Sequence, residues 1–325
     1  MRKSSRWHGF AYCMGFFLLL FTGFHLFRAA ETPPWKQGIL PSPSAPLSHT
    51  VPQSAHQQND KHGSPFGFLS YNLKNWLSST QTGEKSAVSK KAAIEILTSG
   101  NADVIGLSEI GSEADVREIR KLIKDAGHDF PHSHHTGGTD PIRHLALLSR
   151  HPISTIHQPN IEINGTGDAM QRGMIDVTIR IRGQPIRFIG LHLKSKRMVA
   201  HVDEAQLRIR EAERVREHVD SIFQHDPHAN LIVYGDFNDH IQSISTRTIL
   251  GPNRKTGNLT PIRLQDSRGE TWTHYFASQD QYSRIDFITV SKSLKARIDA
   301  KSSRIIDHSS WSTASDHRAI HASFR

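Results

Sequence analysis

From residue 66 onward, apolar positions follow two alternating periods. Eight short runs read as strands: FGFLSYN (66–72), VIGLSEI (104–110), LALLS (145–149), MIDVTIRI (174–181), IRFIGLHL (186–193), LIVYG (231–235), IDFITVS (285–291) and RAIHASF (318–324). The RGQP between two of them predicts a hairpin turn. Other segments carry a helical period. In EADVREIRKLIKDAG, Val116, Ile119, Leu122, Ile123 and Ala126 share one face. In HVDEAQLRIREAERVREHVDSIF, the same holds for Ala205, Ile209, Ala212, Val215, Val219, Ile222 and Phe223. Hairpins mixed with crossover helices predict a layered α/β domain with mixed sheets. No internal repeat and no second linker interrupts it.

The chain before residue 66 has neither period. MRKSSR opens with three cations, and Trp7 to Phe27 carries no formal charge. A basic start followed by an apolar stretch predicts an export signal. Cleavage after Ala30 would place Arg28 where a small residue is preferred. The stretch is also long enough to span a bilayer. An uncleaved anchor is therefore set slightly ahead of a cleaved signal over residues 1–30, and either leaves the cationic end inside and the rest exported. Residues 31–65, rich in Pro, Ser, His and Gln, read as a disordered linker that holds a domain off a membrane. Residues 66–325 are then the folded, exported domain.

Composition narrows the chemistry. The single cysteine, Cys13, lies in the apolar leader, so the exported part has no disulfide framework and no zinc–thiolate site. Beyond residue 65 there are 34 cations against 29 anions, a net +5 that suits a phosphate-bearing substrate without demanding one. The histidines of HDFPHSHHTGG read as a polar surface loop, with metal scavenging as the rarer alternative.

Several strands end on chemically useful side chains. Asn72 follows FLSY, Glu109 sits in GLSEI, His192 in GLHLKSK, and Asp236 and Asn238 in GDFND. Asp286 stands in RIDFI, with Asp316 and His317 in SDH before the last strand. Asn72, Glu109 and the SDH pair, each taken alone, are more often a turn residue, a surface group or a cap, whereas a Gly-Asp-Phe-Asn turn after a buried run is unusual and favours function by itself. Polar groups at the ends of apolar strands are costly to bury unless they meet partners, so the ordered set points to one site.

The set SYN, GLSEI, GLHLKS, GDFND, RIDFI and SDH resembles the endonuclease/exonuclease/phosphatase superfamily over about residues 66 to 325. The resemblance implies a four-layer α/β (α+β) sandwich, two stacked mixed β-sheets flanked by helices. It implies a Mg²⁺- or Mn²⁺-dependent phosphodiesterase, since hard oxygen donors suit those ions. Glu109 would be the main metal ligand, with Asn72 and Asp316 near the ion. Asp236 would orient or deprotonate the attacking water and Asn238 hold that water or a phosphate oxygen. Asp286 would pair with His317, which acts either as a phosphate-binding cation or as general base. His192 would face the scissile phosphate and donate to it or to the leaving group. Arg172 matches a family arginine near the phosphate, and Lys194 follows His192 closely enough to position a polyanion. One departure is Lys74, two residues after Asn72, where abasic-site endonucleases of the family place an Asp as an extra metal ligand. Asp239 has no chemical role by resemblance and reads as a turn or capping residue.

Three functions follow in order. An exported metal-dependent phosphodiesterase acting on nucleic acid comes first. A lipid-headgroup or small-phosphate-ester hydrolase comes second, favoured by membrane tethering through the leader but lacking a long apolar insertion. A non-catalytic phosphate-binding module comes last, because a binder has no need of the GDFND turn.

Overall fold

The computed structural model describes residues 65–78, 84–163, 165, 167–199, 201–252 and 257–325. The leader and all but the last residue of the linker lie outside the described residues, so the expectations about them rest on sequence alone.

One six-stranded sheet has the order β13-β14-β1-β2-β4-β3. Its strands are β1 (Phe66–Trp76), β2 (Val104–Ile110), β3 (His132–Thr136), β4 (His144–Ser149), β13 (Arg304–Ile305) and β14 (Ile320–Phe324). The other has the order β5-β6-β7-β8-β12-β9. It holds β5 (Ile153–Ile156), β6 (Ile175–Ile181), β7 (Gln184–His192), β8 (Leu231–Asp236), β9 (Thr260–Pro261) and β12 (Asp286–Val290). A separate hairpin pairs β10 (His274–Phe276) with β11 (Gln281–Ser283). Both large sheets are mixed. β1 runs parallel to β2 across helix α1 (Ala87–Ser99), and β7 parallel to β8 across helix α3 (Glu204–His225). Parallel neighbours need such a crossover, whereas the remaining pairs are antiparallel. The RGQP turn joins β6 to β7, with Arg182 and Gly183 both at positive φ, as a tight two-residue hairpin requires.

Strand alternation builds the layers. Along β1, Phe66 and Phe68 enter the cluster between the sheets, while Leu69, Tyr71 and Leu73 join Ala93, Ile96, Ile119 and Ile123 of α1 and helix α2 (Glu113–Asp125). Along β8, Ile232 and Tyr234 face the other sheet, and Leu231 and Val233 pack on Val215 and Val219 of α3. Phe68 meets the rings of Phe188 and Tyr234 across the middle. The result is helix, sheet, sheet, helix, the expected four-layer sandwich. Each buried side chain of this kind contributes about 1.5–3 kcal/mol, which holds the strand ends firm even where they carry charge.

Two sequence expectations change. The HSHHT stretch is not a loop: it is edge strand β3, paired residue by residue with β4. Its five side chains are half-buried, so it lacks the apolar alternation that marks a strand, and apolar β4 supplies the core. In α3, Ala205 is exposed and Ile209 half-buried, while Arg208 and Glu211 are buried. The first turns of that helix bury a charged stripe because they pack on the loops around the strand ends rather than on the sheet.

Candidate active site

Register places three candidate residues side by side. His192 at the end of β7 pairs with Asp236 at the end of β8, and Asp236 pairs with Asp286 at the start of β12. Residues in register on neighbouring strands share a face. Two facing carboxylates repel, and His317 lies between them. Its Nδ1 is 2.9 Å from Asp286 Oδ2 and its Nε2 is 3.6 Å from Asp236 Oδ2. The His317 N–H donates to Ser315 Oγ (3.1 Å), and that hydroxyl donates to the Asn72 carbonyl (2.8 Å), which moors the SDH segment to β1.

The other sheet brings Asn72 and Glu109. The β1–β2 register slips after Asn72, where Lys74 and Asn75 adopt positive φ, and Glu109 on β2 does so too at φ 60°. A non-glycine residue held there costs about 1–3 kcal/mol. The contacts holding Glu109 are specific: its Oε2 accepts the Asn75 N–H (3.0 Å) and its Oε1 accepts Asn72 Nδ2 (3.2 Å). Asn72 Nδ2 also donates to Asp236 Oδ2 at 3.1 Å. One amide thus ties the carboxylates of the two sheets together, while Asn72 Oδ1 accepts the Lys74 N–H at 3.0 Å.

The GDFND turn positions Asp236 through its own backbone. Asn238 takes φ 52° and donates its N–H to Asp236 Oδ1 (2.8 Å), leaving Oδ2 toward Asn72 and the two histidines. The Asn238 amide donates to the Leu193 carbonyl (2.9 Å), so it braces the ends of β7 and β8 against each other. Asp239 is an ionic clamp rather than a cap: it meets Lys196 at 2.9 Å and Arg208 at 3.2 Å and accepts Ser245 Oγ at 2.9 Å. The cap of the next helix, α4 (Ile244–Leu250), is Ser243.

The two histidines are electrostatic opposites. Burial alone would push His317 down, but Asp286 and Asp236 flank it and carry it up to about 10. It is an imidazolium at neutral pH. His192 is driven well below its ordinary value by burial, with Arg172, His317 and Arg143 adding to the effect. It is a neutral ring whose Nδ1 has no hydrogen-bond partner. Asp236 is pushed up by burial, with Asp286 adding and His317 opposing.

The remaining candidates are placed as follows. Arg172 is buried beside Asp140, at 3.5 Å, and Arg143 reaches to 3.9 Å from Glu109 Oε2. Asp316 is half-buried and pairs with Lys74 at 3.4 Å. Lys194 turns inward: its ammonium donates to the Ser195 and Arg197 carbonyls, both at 3.3 Å, and burial lowers its affinity for a proton. Sequence reasoning missed Arg143, Asp140, Glu211 and His274. Glu211 accepts the N–H groups of Gln171 (3.1 Å) and Lys194 (2.6 Å), pinning two loops. Its signal was present, because it falls on the helical face continued by Val215 and Val219. His274 packs against His317 with ring centres 4.5 Å apart and ring planes tilted by 45°.

For a divalent cation the donors are oxygen-rich. Glu109 and Asp316 offer carboxylates, and the excess of buried acid at Asp236 and Asp286 favours a nearby positive charge. Among the described residues, two groups of three bring their ligand atoms within 4.8 Å: His274, Asp316 and His317, and Asp236, Asp286 and His317. Neither includes the histidines of β3, so the metal-scavenging alternative gains no cluster there.

The sequence matches the model of the Endonuclease/Exonuclease/phosphatase family over residues 75–317. No curated protein matches it significantly. Solved structures with a similar fold include sphingomyelinase C from Streptomyces griseocarneus, at 18% identity and TM-score 0.59, covering 81% of this chain and 100% of that one. A double mutant of beta toxin from Staphylococcus aureus with bound magnesium ions is similar at 16% identity and TM-score 0.59, covering 81% and 100%. The human Nocturnin catalytic domain with a bound sulfate anion is similar at 17% identity and TM-score 0.58, covering 80% and 94%. With a family match over most of its length and a sandwich of the same architecture, the chain belongs to the endonuclease/exonuclease/phosphatase family.

Proposed function

We propose that this protein is an exported phosphodiesterase, dependent on Mg²⁺ or Mn²⁺, that hydrolyses nucleic acid. The observation that carries the proposal is the pairing of a neutral His192 with a cationic His317 on either side of the Asp236 carboxylate, with Glu109 tied in through Asn72. Glu109 and Asp316 would hold the cation, which when bound neutralises phosphate charge. The chain's own groups then divide the work. Asp236 Oδ2 lies between the histidines, 3.6 Å from the Nε2 of each, and accepts a proton from the attacking water. His317, kept charged by Asp286, holds a phosphoryl oxygen as its charge grows. Arg172 supports the same anion. In this reading His192 accepts a hydrogen bond from water or substrate, and its role as donor to the leaving oxygen requires that it first take up a proton. Export rests on the basic and apolar leader, with residues 31–65 as the spacer.

A second reading, a phosphodiesterase of lipid headgroups, is favoured by the likeness to sphingomyelinase C. The test is to offer the full-length protein plasmid DNA, RNA, sphingomyelin and inositol phosphates with Mg²⁺, Mn²⁺ or chelator. Metal-dependent cleavage of DNA or RNA is expected. Cleavage of sphingomyelin alone selects the second reading, and no cleavage of any substrate defeats both.

A further inference from the structure

The loops bearing Arg143 and Arg172 are locked together. The Asp140 N–H donates to the Gln171 carbonyl at 2.7 Å. At Gly138 even a methyl group would fall 1.9 Å from the Met170 carbonyl, so the HTGGTD and MQRG segments approach more closely than side chains permit. Asp140 shapes the turn by accepting the N–H groups of Ile142 (2.9 Å) and Arg143 (3.2 Å) on Oδ1. Its other oxygen, Oδ2, lies 3.5 Å from Arg172 Nε and 3.8 Å from Arg143 Nη1. One carboxylate therefore lies between two guanidinium groups, and the other acid beside Arg143, Glu109 at 3.9 Å, is the candidate metal ligand whose charge a bound cation would meet.

Their hydrogen-bonding capacity is largely open. Arg172 is 7% exposed, gives one bond to Gln171 Oε1 (2.9 Å), and its buried Nε has no hydrogen-bond partner. The Arg143 guanidinium makes no hydrogen bond among the described residues and keeps 24% of its side chain accessible. A guanidinium presents its donors as a planar fork that fits phosphate oxygens. The single charge of a scissile diester would already be met by His317, Arg172 and the cation that Glu109 and Asp316 would hold. Arg143 is one cation more than that charge needs.

We propose that Arg143, held beside Arg172 by Asp140, binds a second phosphate adjacent to the scissile one. The substrate is accordingly a phosphate-rich strand rather than a choline phosphodiester. This rests on the nucleic-acid reading above and deepens it. A quaternary ammonium is bound by aromatic faces and anions, and here the Asp140 carboxylate is already shared between two guanidinium groups. Asp140 is a positioning residue: without it the two cations are free to splay apart.

The experiment uses the full chain and a thymidine dinucleotide without a terminal phosphate, with a 5′-phosphate and with a 3′-phosphate. Bis(4-nitrophenyl) phosphate and sphingomyelin vesicles complete the set. One phosphorylated dinucleotide is expected to exceed the unphosphorylated one in kcat/KM by about tenfold or more, the size of one charge-assisted hydrogen bond. Arg143→Ala removes that preference by raising KM, Arg143→Lys restores part of it, and Asp140→Asn weakens it. Equal loss on every substrate through kcat, no preference in the parent protein, or a preference for sphingomyelin overturns the proposal. Calorimetry in EDTA reads the same preference as binding without hydrolysis. If the parent protein cleaves nothing, the hydrolase reading falls, and calorimetry alone still decides the phosphate subsite.

Discussion

Two buried Asp–His clusters lie on the same sheet and are wired in opposite ways. Asp176 on β6 is fully buried, yet every charge around it is matched. Arg187 grips it with two bonds of 2.7 and 2.5 Å, and His218 of α3 adds a third at 2.7 Å. Burial would raise its pKa, but Arg187 and His218 overcome that and hold it below the ordinary value. Asp236 on β8 is nearly as buried, but its neighbours include Asp286 and Glu109 as well as His317, and its pKa goes up. The first cluster is a brace between sheet and helix. The second retains acid that its partners do not neutralise, which is poor for stability and useful for proton transfer.

The largest contrast is expected in activity. Asp236→Asn should lower hydrolysis about a thousandfold while leaving the thermal midpoint unchanged or higher, because a destabilising carboxylate has gone. Kinetics with a nucleic-acid substrate and a melting curve on the same preparation check both halves. A large fall in the midpoint would mean that Asp236 is a brace like Asp176.

Asp176→Ala is the mirror experiment. Breaking a buried pair leaves the Arg187 and His218 side chains without their counterion and should cost about 3–5 kcal/mol, measured by urea denaturation. Activity per folded molecule should persist, since the cluster touches no candidate site residue. If the variant keeps full stability, the matched bonds of Asp176 are not what holds α3 to the sheet.

The pH dependence sharpens the same point. The folded-state pKa of Asp176 is depressed, so its stabilisation is complete above the ordinary carboxylate value of 3.8 and is lost as pH falls through the folded value. Asp236 has the opposite sign: its raised pKa favours the fold at lower pH, and that contribution fades as pH rises through its folded value near 7. Asp176→Asn should flatten the acid arm of a midpoint-versus-pH curve, and Asp236→Asn should flatten the stretch from the ordinary carboxylate value of 3.8 up to about 7. An acid arm unchanged by Asp176→Asn would assign it to other carboxylates.

The sequence showed one half of this comparison far better than the other. All eight expected strands form, because apolar alternation records which face meets the core. The row His192, Asp236 and Asp286 could be listed but not aligned, because register between distant strands is set by packing. The bond from Asn72 to both Glu109 and Asp236 was invisible for the same reason. Arg143 and Asp140 gave no signal at all: a loop residue acquires meaning only from the loop it touches. Asp176 sat in MIDVTIRI as one polar letter, and only the fold reveals that α3 covers it. Charges on the buried stripe of α3, at Arg208 and Glu211, were legible in principle. A period counted on apolar letters alone passed over them.

The smallest expected effect tests the criterion behind the comparison. Tyr234 stands in the row of Gly190 on β7 and Ile288 on β12, and its hydroxyl is buried with no hydrogen-bond partner. It is a third kind of buried polar group, neither matched like Asp176 nor charged like Asp236. With no partner to lose, Tyr234→Phe removes only a desolvated hydroxyl. Stability should then stay the same or rise by up to about 1 kcal/mol, read from denaturation midpoints. A loss of that size instead would mean that the hydroxyl is satisfied by ordered water.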